Sequence, residues 1–153
     1  TEESAVADER FDKGLQIRRE VLGPAHVARQ FEAARKDPFM WPAQQLVTEN
    51  AWGTIWARPE LARRDRSLVT LAMLAVLNRP HELRVHLRGA VRNGLTAEEI
   101  REVFLHGSVY AGFPAALDGL RVVAEVLREM GLIGDEKGGR DESPRHDETA
   151  PRT

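Results

Sequence analysis

Apolar residues recur every three or four positions along most of this chain, a spacing that places them on one face of an α-helix. No segment shows the alternation of apolar and polar residues that is typical of a half-buried strand. Proline, glycine and Asn-Gly breaks divide the pattern into segments of helical length. The predicted helices span residues 8–22, 25–35, 42–58, 60–77, 80–93, 96–110 and 115–130. The sequence therefore predicts an all-α bundle of about six to seven helices.

Two of these segments carry further signals. Thr96 and Glu99 have the spacing of a capping box, which fixes the start of the sixth helix. The second half of the fourth helix is apolar on nearly all sides, a pattern typical of a helix in the middle of a bundle.

The 153 residues are enough for one domain with a single core, which we assign to residues 1–133. From residue 134 to 153 only Ala150 is apolar among the residues that are neither proline nor glycine, so we expect a disordered, charged tail. The chain has no cysteine, which excludes disulfides, thiolate metal sites and thiol redox chemistry.

The charge balance argues against two classes of partner. With 22 Lys and Arg against 24 Asp and Glu, no bulk attraction to nucleic acid or to an acidic membrane is expected. The longest apolar stretch, residues 68–77, is about half the length of a bilayer span. No segment is typical of a targeting signal, so we expect a cytoplasmic protein without nucleic-acid or membrane partners.

The fifth helix contains a candidate acid–base pair. Glu82 and His86 are i,i+4 neighbours at the margin of its apolar face, where a carboxylate can orient an imidazole and raise its pKa. This arrangement suits a proton donor, but the same spacing is also found in simple surface pairs. His81 precedes His86 by five positions, not the four that would place both imidazoles on one face as zinc ligands.

Two arginines occupy apolar stripes. Arg18 fills a turn of the stripe that is otherwise apolar in the first helix, and Arg66 has a similar position in the fourth. Such an arginine either extends its charge to solvent or meets a buried anion. Trp52 belongs to an aromatic set at helical spacing, which usually forms core or a subunit interface. His106 projects away from the apolar face of its helix, as a structural histidine can.

Four separated blocks resemble the 4-carboxymuconolactone decarboxylases, in the order found in that family. They are ERFDKGLQIRREVLGPAHVAR, ENAWGTIWARPELARRDRSLVTLAML, RPHELRVHLRGAVRNGLTAEEIREVFLH and VYAGFPAA, and they cover about residues 9–131. The resemblance implies the all-helical fold of the alkylhydroperoxidase D proteins and a homo-oligomer, with a trimer or hexamer as the expected forms. The peroxidase relatives use a CxxC pair, so a chain without cysteine cannot share their reaction.

The resemblance implies a carboxy-lyase of the β-ketoadipate pathway of aromatic catabolism. Its substrate would be 4-carboxymuconolactone or a closely related carboxylated lactone, and no cofactor or metal is required. Loss of CO2 would leave a dienolate, which the enzyme protonates. We predict His86, Glu82 and His81 as catalytic residues. The predicted substrate-binding residues are Arg18, Arg66, His106 and Trp52.

Two departures from the family pattern keep alternatives open. Many close decarboxylases have a cysteine where this chain has Ala111, and residues 37–42 are bulkier and richer in proline than usual. If that segment borders the pocket, the enzyme could be a biosynthetic decarboxylase or isomerase acting on another enolisable acid. A further alternative is a binding homologue that has kept only the helical bundle.

Overall fold

The computed structural model describes residues 2–135, and these contain helices but no strand. The prediction of an all-α fold is confirmed. Apart from its first two residues, the predicted tail 134–153 lies outside the described residues. The elements are α1 (Glu2–Leu22), α2 (Pro24–Arg35), α3 (Trp41–Leu46), a π-helical segment (Val47–Ile55), α4 (Arg63–Val76), α5 (Pro80–Arg92), α6 (Ala97–Ala111) and α7 (Phe113–Glu129).

Several helix limits differ from the prediction. Helix α1 continues back to Glu2, so Asp8 lies inside it, and α4 begins at Arg63 after an irregular turn. The capping box is confirmed: the Thr96 hydroxyl accepts the Glu99 amide, and the Glu99 carboxylate accepts the Thr96 amide. The predicted third helix is α-helical only as far as Leu46 and then widens into the π-helical segment.

The helices enclose two apolar cores that share α5. One core lies among α4, α5, α6 and α7 and includes Leu87, Ile100 and Phe104. The other lies among α1, α2 and the π-helical segment and includes Val21 and Trp52. Helix α5 contributes its buried leucines to the first core and contacts the second, so it joins the two halves of the molecule.

Helix α1 and the π-helical segment approach each other so closely that only glycine fits between them. A Cβ atom on Gly14 would lie 2.0 Å from the carbonyl oxygen of Thr48, and one on Gly53 would lie 2.2 Å from that of Arg10. Backbone atoms cannot move away as a flexible side chain can. The two glycines therefore set the distance between α1 and the segment that carries Thr48 and Trp52.

We expect Gly14→Ala to destabilise the protein, because the added methyl group must force these two elements apart. Overpacking of this kind typically costs about 1–3 kcal/mol, or roughly 3–10 °C in Tm for a chain of this size. Gly134→Ala is the control, since a Cβ there meets nothing within 4 Å and should leave stability equal or higher. Thermal unfolding of both variants measures the difference; equal Tm values would contradict the close approach.

A broad apolar surface lies on α4, α6 and α7. Helix α4 is not enclosed within the described chain as predicted, because Met73 and Leu77 are exposed by 59% and 61%. Beside them runs a groove of about 680 Å³ between α4 and α6. Among the exposed residues, Met73, Val76, Leu77 and Tyr110 line this groove. Other large apolar side chains are exposed elsewhere on α4, α6 and α7: Val69, Leu105, Val109, Phe113 and Leu117. An exposed apolar groove of this size is typical of an interaction face.

Candidate active site

Helix α5 places a histidine at the boundary between the two cores. Its apolar face buries Leu83 and Leu87, while Arg84 and Arg88 on another side pair with Glu125 and Glu129 of α7. His86 lies at the margin of the buried face and is half-buried. The helix is thus anchored on both sides of the histidine, which fixes the direction of its side chain.

Two tryptophans hold the His86 ring. The imidazole is nearly parallel to Trp52, at 6.0 Å between ring centroids and 3° between planes, and it stacks on Trp56 at 6.2 Å and 24°. The two indoles stack on each other at 4.9 Å. The predicted substrate-binding residue Trp52 is therefore buried and touches His86.

Arg18 is buried, with 5% of its surface exposed, and does not extend to solvent. Its Nη1 donates to Gln44 Oε1 at 2.9 Å and to Thr48 Oγ1 at 3.1 Å. Its Nη2 donates to Gln30 Oε1 at 2.9 Å. The guanidinium also lies 5.4 Å from the ring centroid of Phe31. Helix α1 thereby receives contacts from α2, α3 and the π-helical segment around a single cation.

The partners of Arg18 are neutral, which leaves its charge uncompensated by a direct ion pair among residues 2–135. Its Nε is buried and has no hydrogen-bond partner in this part of the chain. Burial lowers the pKa of Arg18, and nearby Glu82 acts in the opposite direction. A buried charge normally has a paired anion, but within residues 2–135 no carboxylate pairs directly with this guanidinium.

Arg18, His26, Glu82 and His86 lie close enough to influence one another's charge, and we call this group the Arg18 site. His26 comes from the first turn of α2 and is half-buried. Within residues 2–135 neither His26 Nε2 nor His86 Nδ1 has a hydrogen-bond partner, although both atoms are buried. Three unpaired nitrogens, one from each of three helices, therefore belong to one site.

The spacing of Glu82 and His86 predicts that the carboxylate keeps the imidazole charged, but in the structure it does not. Burial lowers the pKa of His86 below its ordinary value of 6.5, and Arg18 and His26 lower it further, while Glu82 only partly offsets them. No hydrogen bond joins Glu82 to His86 among the described residues, and Glu82 is exposed. The expectation of a raised pKa is wrong, because desolvation of the imidazole outweighs the attraction of one exposed carboxylate.

This lowered pKa predicts that stability falls on mild acidification. His86 and His26 both have lowered pKa values in the folded protein, so as the pH falls below about 6.5 these groups bind more protons in the unfolded chain than in the folded one. The free energy of unfolding should therefore be highest above about pH 6.5 and should decrease below it. Urea unfolding at about pH 7 and 5.5 measures this, and His86→Gln should show the smaller decrease. An equal decrease in both proteins would assign the effect to other groups.

The remaining predicted residues lie in different places. His81 is exposed at the start of α5 and is near enough to His26 to lower its pKa. Arg66 donates from Nη2 to the carbonyl oxygen of Arg58 at 3.1 Å, and no contact joins it to Arg18 or His86 in residues 2–135. His106 is exposed beside Tyr110 and lines the apolar groove of α4 and α6.

The sequence pattern does not point to the partners of Arg18. Gln30, Gln44 and Thr48 form its hydrogen-bonded surroundings, yet no short motif connects them. Thr48 is fully buried, and its hydroxyl also donates to the carbonyl oxygen of Gln44. A threonine four residues after a glutamine was the available signal in the sequence, but its meaning depends on the packing of α1.

The two departures from the family pattern lie outside the Arg18 site. Ala111 lines the apolar groove of α4 and α6. In the bulky segment, Phe39 is 89% exposed, while Trp41 packs edge-on against Phe31 with centroids 5.8 Å apart. Trp41 therefore contacts the site only indirectly, through Phe31, whose ring packs against the Arg18 guanidinium.

A helical fold with an uncompensated buried guanidinium is consistent with an all-α protein that binds a small anion. The chain belongs to the carboxymuconolactone decarboxylase family, whose match covers residues 42–125. It is 42% identical over 134 residues to a 4-carboxymuconolactone decarboxylase from Acinetobacter baylyi, covering 88% of this chain and 98% of that protein. It is equally 42% identical over 127 residues to a nitrosuccinic acid decarboxylase from Metarhizium robertsii, covering 83% and 87%.

These relatives confirm the predicted family and the prediction of an enzyme of the carboxy-lyase class. They differ in the acid that each is named for. Within residues 2–135 no helix is long and apolar enough to cross a membrane, and no cluster of three potential ligands could hold a metal ion.

Proposed function

We propose that this protein decarboxylates 4-carboxymuconolactone, or a closely related carboxylated lactone, at the Arg18 site without a cofactor. The observation that carries the proposal is the buried Arg18 guanidinium, whose Nε lacks a partner and which has no paired carboxylate among the described residues. A substrate carboxylate would supply the missing anion. Since no contact brings Arg66 to this site, we assign the carboxylate to Arg18 alone.

The reaction needs one bond broken and one proton delivered. The bond between the carboxylate and the ring carbon breaks, CO2 departs, and the electron pair passes to the lactone carbonyl oxygen as a dienolate. His86 then donates a proton to carbon, which restores a neutral lactone ring, and the imidazole is reprotonated from solvent. Arg18 holds the substrate, and Trp52 and Trp56 fix the plane of the His86 ring.

The charge of the substrate makes His86 a proton donor. In the free protein the lowered pKa keeps this imidazole mostly neutral near pH 7. A bound dicarboxylate brings negative charge beside it, which favours the imidazolium form. Substrate binding is therefore coupled to the uptake of a proton from water. The proton donor, the His86 imidazolium, forms when the substrate is bound.

A second candidate substrate is nitrosuccinic acid, because the relative named for it is as similar to this chain as the lactone decarboxylase. The two acids share chemistry: in each, the carbon that loses CO2 is joined, directly or through one C=C bond, to an oxygen-bearing group that can accept the electron pair. Loss of CO2 beside a nitro group leaves a nitronate. The same cation and proton donor serve both reactions.

The test is CO2 release by the purified protein from each acid, with the products identified by NMR. We expect turnover of 4-carboxymuconolactone to exceed that of nitrosuccinic acid in kcat/KM. The reverse order would assign the second substrate and remove the reaction from the β-ketoadipate pathway. Turnover of neither acid above the protein-free rate would favour a non-catalytic binding homologue.

We also propose a homo-oligomer, a trimer or hexamer, formed through the apolar groove of α4 and α6. Its support is the set of large apolar side chains that are exposed and line this groove, among them Met73, Leu77 and Tyr110. Sedimentation at micromolar concentration should show a multiple of the 17.2 kDa chain mass. Met73→Glu, which adds charge on this face, should shift the protein toward monomer; a monomeric wild type would refute the oligomer.

A further inference from the structure

His26 is the one histidine of the Arg18 site that the proposed mechanism does not use. Helix α1 ends at Leu22, and Gly23, with φ of 93°, turns the chain directly into α2 at Pro24. His26 therefore lies in the first turn of α2, one short turn of chain away from the end of α1. Its neighbour Val27 is buried in the core and anchors that turn.

The end of α1 also meets α5 closely. A Cβ atom on Gly89 would lie 3.2 Å from Leu22 Cδ2 and 3.3 Å from Val21 Cγ1. One turn before this contact, α5 carries His86 and α1 carries Arg18. The start of α2, the end of α1 and the middle of α5 thus converge, which explains why His26, Arg18 and His86 influence one another.

His26 is buried at the atom that matters for binding. Its Nε2 has no hydrogen-bond partner among the described residues, like Arg18 Nε and His86 Nδ1. Buried polar atoms are nearly always paired, so an unpaired set in one site indicates that a ligand supplies the partners. In the proposed mechanism a substrate carboxylate pairs with Arg18, and His86 transfers its proton to the substrate carbon. These two roles leave only His26 Nε2 without a function.

One part of the reaction still lacks a protein group, and His26 Nε2 can supply it. The electron pair released with CO2 accumulates on an oxygen of the substrate, and the proposed mechanism supplies no group for that oxygen. A hydrogen-bond donor aimed at such an oxygen is among the strongest single contributions to catalysis. A neutral imidazole N–H can serve as that donor, because it polarises the oxygen without giving up its proton.

The surroundings of His26 keep it neutral. Burial lowers its pKa below 6.5, and the neighbouring cations Arg29 and Arg18 lower it further. Glu82 acts in the opposite direction, while His81 adds a small lowering effect. Its place in the first turn of α2, near the positive end of that helix, also disfavours the imidazolium form.

We propose that His26 is a catalytic residue whose Nε2–H donates a hydrogen bond to the substrate oxygen that takes up the electron pair. This inference rests on the proposed decarboxylation, and it divides the work of the two imidazoles. His86 transfers a proton to carbon and must titrate, whereas His26 stays neutral and stabilises charge on oxygen. The ligand class follows: an acid whose electron-accepting group ends in an oxygen.

The test uses two replacements that separate donation from titration. Glutamine places its Nε2 amide near the position of the histidine Nε2 and cannot titrate, while leucine removes the donor. We expect His26→Leu to lower kcat by roughly 10²–10³ and to change KM much less. His26→Gln should recover at least about tenfold of that loss, since the donor is restored. Glu32→Gln, on the exposed side of the same helix, is the control and should match wild type.

The remaining outcomes overturn the assignment. Equal losses in the glutamine and leucine variants would mean that a titrating imidazole is required. Near-normal turnover by His26→Leu would show that His26 does not touch the reacting oxygen. Wild type is assayed first with both acids, so failure of decarboxylation itself is seen separately.

A binding measurement keeps the proposal testable if a variant fails to fold or the wild type is inactive. Nitrogen-15 NMR of the wild type should show His26 as the Nε2–H tautomer. Addition of 5-oxotetrahydrofuran-2-carboxylate, a saturated lactone acid, should shift the His26 Nε2 signal. A His26 that carries its proton on Nδ1, or that does not respond to this probe, would overturn the proposal.

Discussion

Replacing His86 with glutamine should lower kcat by roughly 10²–10⁴, the usual contribution of a positioned proton donor. Glutamine can fill much of the space that the imidazole occupies beside Trp52 and Trp56 and can form hydrogen bonds, but it cannot transfer a proton at neutral pH. The half-buried position and the anchored α5 helix argue that the fold will survive. The measurement is lactone consumption at saturating substrate, with circular dichroism to verify folding.

Two further variants test whether the loss of kcat is specific to His86. Glu82→Gln should reduce kcat less than His86→Gln, because it removes a neighbouring charge and leaves the donor. His81→Gln should also be milder, since His81 is exposed and reaches the site only electrostatically. Near-normal turnover by a folded His86→Gln protein would eliminate this residue as the donor.

Replacing Arg18 with methionine should mainly raise KM. A charge-assisted hydrogen bond contributes about 1.5–3 kcal/mol, so losing the one offered by Nε corresponds to an increase of roughly 10- to 150-fold. Methionine keeps most of the apolar stem, but it leaves Gln30, Gln44 and Thr48 without their donor. A lower Tm is therefore expected as well, and KM must be measured well below it.

Lysine at position 18 separates charge from geometry. It restores the cation but not the planar set of donors, so Arg18→Lys should recover only part of the binding. Arg66→Met provides the comparison: Arg66 also has a buried Nε without a partner in residues 2–135, but no contact there joins it to the Arg18 site, so its loss should affect KM less. If Arg18→Met keeps the wild-type KM, the buried guanidinium is a structural cation and the site must lie elsewhere.

The sequence alone determined the class of fold and several of its joints. Apolar spacing of three to four residues, the proline and glycine breaks and the Thr96–Glu99 capping box are properties of near neighbours. Such signals act within one or two turns of a helix, so they survive without knowledge of packing. The position of Arg18 in an apolar stripe was visible in the sequence for the same reason, but whether its charge is buried or solvated was not.

The tertiary structure decided what that arginine does and which histidines join it. The partners of Arg18 lie 12, 26 and 30 positions further along the chain, and the contact of α5 with the end of α1 brings His86 to it. The direction of the His86 pKa shift also depended on packing: the pair Glu82–His86 predicts a rise, but burial beside two tryptophans lowers it. Burial and charge act through space, between residues that the sequence separates, and therefore only the folded chain could assign them.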